Sequence, residues 1–254
     1  MKYFLFQLFG LLMLIGQARA SSLIEYRMHM APSEAGTKRV ALTFDACMGK
    51  ADDRILNALV DNKIKATVFV TARWLKYNAR AITVLKAHPE LFEIENHGAR
   101  HLPAVDENKD VFGMASAGSA AAVAAEIEDG AAAVQILFGN WPKWYRGAGA
   151  IYTASSMKLV TSLDFKLGGF SISGDGGAAW TATHAEQAMS AAKDGDVIIA
   201  HINQPAKPAG AAVVKGILKL QADGFSFVTL DEGFLADLRP PSELSFHNSM
   251  FGPR

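Results

Sequence analysis

One cysteine, Cys47, is all the chain has, so no disulfide can close within it and stability has to come from an ordinary hydrophobic core. Taken alone, that residue reads as a small buried hydrophobe. Net charge is missing too: Lys plus Arg and Asp plus Glu stand at 25 each, which leaves no electrostatic footprint for nucleic acid or an anionic membrane. Nor does any apolar run reach the roughly 20 residues that span a bilayer. The nearest, residues 3–15, follows Met1 and Lys2 and leads into Ala18-Arg19-Ala20, the small-x-small pattern of a signal-peptidase site. Residues 1–20 are therefore expected to be a cleaved signal peptide, giving a periplasmic or secreted protein with no stable membrane insertion after cleavage. Internal repeats of fixed period are absent, and no linker divides the middle of the chain. One large α/β domain over 39–236 is expected, after a short N-terminal extension at 21–38 and before an irregular tail at 237–254 that carries Pro240, Pro241 and Pro253.

What the chain does have is alternation. Short β-branched or aromatic runs at 40–44, 66–70, 91–94, 143–145, 167–172, 197–200 and 225–230 read as strands, and helical patterns at 52–62, 79–87, 120–138, 155–162, 183–192 and 211–222 fall between them. Strand and helix in turn predict a parallel α/β sheet or barrel. The strands are nearly continuously apolar, as parallel strands covered on both faces are, and periodicity does not choose between an open sheet and a barrel.

Polar groups collect where these strands end. Asp45 follows the first, His97 the third, Arg146 the fourth and His201 the sixth, while Asp175 lies just past the fifth. The carboxyl ends of parallel strands are where ligands bind in such folds, because rigid strands deliver converging loops there. His97 and His101 are four apart, so a helical turn starting at His97 would bring both imidazoles to one metal ion. Neutral imidazole suits zinc, cobalt, nickel or iron. Asp45 offers an oxygen ligand, a base, or a helix cap, although Asp52 is better placed to cap. Facing Asp45 across the mouth, Arg146 would keep that carboxylate ionised; otherwise it is a solvated surface arginine. His201 is either a satisfied core group or a proton donor near neutral pH.

Taken in order, TFDA at 43–46, HGARH at 97–101, WYRGAG at 144–149, SGDGGAAW at 173–180 and VIIAHINQP at 197–205 resemble the polysaccharide deacetylases of the NodB-homology type, carbohydrate esterase family 4. The resemblance implies a distorted (β/α) barrel of about seven parallel strands. It also implies removal of acetyl groups, most often N-acetyl, from chitin, peptidoglycan or exopolysaccharide with a divalent metal, zinc foremost. On the matching positions Asp45 would be the catalytic base, Arg146 the residue that orients it and His201 the general acid. His97 and His101 would hold the metal. Ile199 would help line the pocket for the acetyl methyl. Apart from the resemblance, Trp180 and the backbone of Gly147 are candidates to touch substrate, the latter at the oxyanion.

Two departures stand out. Family members usually carry TFDD, whose second aspartate is the third metal ligand, and alanine at position 46 has no donor atom. The fourth motif is longer than usual and lacks an acid at its first position. Asp45 itself, Glu95 two residues before His97, or Cys47 could complete the ligand set, with Cys47 ranked last because the family site is built of nitrogen and oxygen. Glu95 otherwise reads as a salt-bridged or surface strand residue. The expected function is thus a metal-dependent deacetylase of an acetylated cell-envelope or extracellular polysaccharide. A noncatalytic glycan-binding module that has lost its metal, or a deacylase of a small amide or ester, are the rivals.

Overall fold

The structure, a computed structural model, describes residues 22–33 and 36–235, so the expected signal peptide and C-terminal tail lie outside the described residues. A short strand, β1 (Ile24–Glu25), opens it. Next come β2 (Arg39–Ala46), α1 (Asp53–Asp61), β3 (Ala66–Val70), α2 (Ala72–Tyr77), α3 (Ala79–Ala87) and β4 (Phe92–Asn96). A hairpin of β5 (Asp110–Val111) and β6 (Met114–Ala115) precedes the long α4 (Ala120–Phe138). The rest runs β7 (Trp144–Tyr145), β8 (Ile151–Tyr152), α5 (Ala154–Ser162), β9 (Lys166–Leu167), β10 (Ile172–Ser173), α6 (Ala182–Ser190), β11 (Val197–His201), α7 (Ala209–Ala222), β12 (Ser226–Val228) and α8 (Leu230–Leu235).

Seven strands form one parallel path in the order β10-β11-β2-β3-β4-β7-β9, and β12 adds a parallel pairing at the start of β2. The edges β9 and β10 do not pair with each other among the described residues, so the barrel is a curled half-barrel, as the α/β expectation required. In β2 the two-residue period divides the side chains. Val40, Leu42, Phe44 and Ala46 pack outward into the apolar layer beneath the helices, while Ala41 joins an inner cluster with Phe69, Val197 and Ile199. Thr43 and Asp45 share that inner face.

Local chemistry fixes the helix starts. The Asp52 carboxylate accepts from Arg54 N at the head of α1, Thr71 Oγ1 from Trp74 N at α2, Ser119 Oγ from Ala122 N at α4 and Thr153 Oγ1 from Ser156 N at α5. Asp52, rather than Asp45, is thus the cap.

The run expected as one strand at 167–172 is instead split between β9 and β10. A Cβ on Gly168 would lie 2.5 Å from the Phe69 ring, and one on Gly169 2.6 Å from Tyr26 O. The chain passes too close to its neighbours there for side chains, and its carbonyls turn inward. The segment expected as an extension is packed as well: Met28 N donates to Phe170 O (3.1 Å) and Met30 N to Gly195 O (2.8 Å), and both methionines are buried in the inner cluster.

Candidate functional site

Parallel register assembles the site. Asp45 pairs with His201 on one side and Phe69 on the other, while Asn96 pairs with Val70 and Tyr145, which sets His97 and Arg146 side by side one residue later. Residues 101 positions apart in sequence, Asp45 and Arg146, meet at 2.7 Å through Oδ1 and Nη1. Both are almost fully buried.

The guanidinium is held at every corner. Arg146 Nη1 also donates to Thr43 Oγ1 (3.0 Å), Nε to Gly168 O (3.0 Å) and Nη2 to Gly169 O (2.8 Å), and the group lies 4.2 Å over the Phe69 ring centroid. Burial by itself would raise the Asp45 carboxyl. The charges of Arg146, His97 and His201, with the Arg146 hydrogen bond, outweigh it and hold Asp45 below its ordinary value. The reading of Arg146 as a solvated surface residue is excluded by its burial.

His97 is buried, and its Nδ1 bonds to Arg146 O at 2.6 Å; a carbonyl only accepts, so Nδ1 carries the proton. In the neutral ring Nε2 therefore keeps its lone pair. That nitrogen faces Cys47 Sγ at 3.4 Å and Asp45 Oδ2 at 3.5 Å. His101 comes alongside with ring centroids 4.9 Å apart, but not through a helical turn. Gly98 (φ 85°) and His101 (φ 69°) both adopt left-handed backbone, which folds 97–101 into a loop and returns the second imidazole to the first. The Glu126 carboxylate, buried in α4, ties that loop down by accepting from Arg100 N (2.8 Å) and Leu102 N (3.1 Å). Its signal in the sequence is a lone acid within the apolar stripe of an Ala-rich helix.

Across the mouth His201 is paired with Asp175. Nδ1 lies 2.9 Å from Asp175 Oδ1, and His201 N donates to Oδ2 at 2.6 Å. Burial lowers the His201 pKa, yet the charge and hydrogen bond of Asp175, together with Cys47, raise it well above the ordinary value. His101 and His201 are the partly exposed members, so solvent reaches the site between them.

Several expected positions do other work. Glu95 Oε2 accepts from Lys143 N (2.8 Å) and Trp144 N (2.7 Å), which anchors β7 and leaves it outside the histidine cluster. The Gly147 N–H donates to Tyr152 Oη at 2.9 Å, so it is not free for an oxyanion. Trp180 stacks on His184 with centroids 4.0 Å apart, and its backbone N–H donates to Asp175 O (3.2 Å). Ile199 lies on the inner face two residues before His201.

Among the described residues two groups of ligand atoms lie within 4.8 Å of one another: Cys47, His97 and His101, and Asp45, Cys47 and His201. Cys47 belongs to both. Imidazole nitrogens converging with a carboxylate and a sulfur suit a divalent transition metal, and His101 Nδ1 is a buried nitrogen that lacks a hydrogen-bond partner among the described residues. The donor set fits such an ion.

The sequence profile of the family described as polysaccharide deacetylase matches residues 33–168. Among solved structures, a peptidoglycan N-acetylglucosamine deacetylase, Bc1960, is 21% identical with a TM-score of 0.67, over 84% of this chain and 94% of that one. The peptidoglycan deacetylase PdaC from Bacillus subtilis is 21% identical with a TM-score of 0.61, over 78% and 90%. Similar too is BA3943, a CE4 family pseudoenzyme from Bacillus anthracis, at 18% identity and a TM-score of 0.61 over 78% and 66%. No curated protein matches the chain by sequence. At these identities the structural likeness establishes the fold.

Proposed function

This chain belongs to the polysaccharide deacetylase family, and from that premise we propose that it removes acetyl groups, N-acetyl foremost, from a cell-envelope or extracellular polysaccharide with a divalent metal, zinc foremost. The observation that supports the reading best is that a base and an acid stand at one mouth, each with its own dedicated partner: Asp45 with Arg146, and His201 with Asp175. Binding alone requires neither. The export expected from residues 1–20 would bring such a protein to a substrate outside the cytoplasm.

Held by His97 and His101, a divalent ion would supply Lewis-acid polarisation of the acetyl carbonyl and a more acidic water. Asp45 takes the proton of the attacking water. Arg146 occupies Oδ1, which leaves Oδ2 as the accepting atom and keeps the carboxylate ionised. His201 donates a proton to the departing amine or hydroxyl from Nε2, because Nδ1 is committed to Asp175. Without that proton the tetrahedral adduct would return to the acetylated sugar. Ile199, on the same inner face, would meet the acetyl methyl.

Acetate release from acetylated chitooligosaccharide, peptidoglycan and acetylated xylan, measured on chelated protein with and without added zinc or cobalt, tests this reading. Release restored by metal is the expected outcome. No release from folded protein that still binds glycan would overturn it in favour of a noncatalytic binding module.

A further inference from the structure

We propose that Cys47 supplies the third protein ligand of the metal, making the site a cysteine–histidine–histidine set in which sulfur replaces the oxygen that Ala46 does not provide. The inference rests on the metal-site reading above. It begins with strand alternation: Ala46 packs outward with Phe44 and Val70 in the apolar layer, so the next residue, Cys47, turns to the side of Asp45. A donor atom is missing from position 46 and present at 47.

Distance agrees with ligation. Sulfur at about 2.3 Å and nitrogen at about 2.0–2.1 Å from one tetrahedral ion stand about 3.5 Å apart. Cys47 Sγ and His97 Nε2 are 3.4 Å apart. His97 is buried and its other nitrogen is already committed to Arg146 O, so Nε2 is left to face the thiol at 3.4 Å and Asp45 Oδ2 at 3.5 Å. His101 brings a second imidazole to the same sulfur and holds a buried nitrogen without a hydrogen-bond partner among the described residues.

The cysteine is also fixed in place. Thr71 Oγ1 donates to Cys47 O at 2.6 Å, Asn203 Nδ2 donates to Met48 O, and Asn78 Nδ2 donates to Gly49 O at 2.9 Å. A loop clamped at three successive carbonyls presents its sulfur without a large ordering cost. With Cys47 as ligand, Asp45 keeps its free oxygen for the water proton.

Cobalt titration of the chelated, reduced protein, followed by near-ultraviolet absorption, tests the proposal. The wild-type protein is expected to develop a sulfur-to-cobalt charge-transfer band that saturates at one equivalent. Cys47→Ser should lose the band and bind cobalt more weakly, by at least the ~10–100-fold that loss of an outer partner costs. Cys47→Asp should also lack the band yet recover affinity relative to the serine variant. Because the band is read on wild-type protein, it decides the matter even if a variant fails to fold. Cobalt bound without a band, and equally well by Cys47→Ser, would overturn the proposal while the histidine site stands. A band without acetate release would support it and count against the deacetylase reading alone.

Discussion

His201 keeps its proton chiefly because of Asp175. Its raised pKa depends on overcoming burial, and the charge and hydrogen bond of Asp175 do most of that. The acid form therefore persists above the ordinary histidine value near 6.5, and turnover that needs it falls only as pH rises through the raised value. In Asp175→Asn the alkaline limb of the kcat profile should move to lower pH. His201→Ala should bind metal as before and lose ~10²-fold or more in kcat. Steady-state kinetics across pH with a parallel metal-content measurement checks both, and an unmoved limb in Asp175→Asn would reduce the pair to a packing contact. The sequence placed Asp175 near the site but could not pair it with His201, since they stand 26 positions apart with a helix between them. It ranked Cys47 last because the family site is built of nitrogen and oxygen; that Cys47 turns to the side of Asp45 follows from Ala46 lying in the apolar layer.

At the scale of elements, α4 is what shapes the loop that carries His97 and His101. Asn96 Nδ2 donates to Ile127 O (2.8 Å), Gly98 N donates to Asn96 Oδ1 (2.8 Å), and Gly130 lets the helix come this close. A Cβ at Gly130 would stand 2.3 Å from Asn96 Oδ1 and 2.6 Å from the Gly98 carbonyl carbon, and backbone does not yield as a flexible side chain does. Gly130→Ala should therefore push the 97–101 loop away. Helix content by circular dichroism should hold, alanine being the better helix former, while cobalt affinity drops ~10–100-fold, as when an outer support of a ligand is lost. Unchanged affinity would mean that the loop is set without the helix. The strand and helix order behind this arrangement was legible, because periods of two and 3.6 are local properties. The loop itself was not: the four-residue spacing of the histidines suggested a helical turn, and two left-handed residues reach the same juxtaposition by another route.

Over the whole molecule, polarity is buried at both the mouth and the middle of the half-barrel. Burial pushes the Glu95 carboxyl up to about 9, with Glu93 adding to the rise, against the lowering effect of the Trp144 and Lys143 N–H groups. Unfolded, the same group titrates near 4.3. Between these values the folded chain thus holds a proton that the unfolded chain gives up, so the stabilisation is present in full below about 4.3 and is lost as pH rises toward 9. Glu95→Gln, whose side-chain oxygen can still accept both N–H groups, should flatten that part of the pH dependence. Glu95→Ala should lose ~1–3 kcal/mol by leaving the buried Trp144 N–H unpaired. Urea unfolding at several pH values checks both, and a Glu95→Gln slope equal to wild type would assign the dependence elsewhere. Some of this was decided by the chain itself: the α/β class and the polar residues at strand ends follow from short-range patterns in the sequence. Tertiary structure alone decided the partners. Parallel register and the curl of the sheet bring Asp45 to Arg146 and Cys47 to His97, and those meetings depend on how strands distant in sequence stack, which no local pattern encodes.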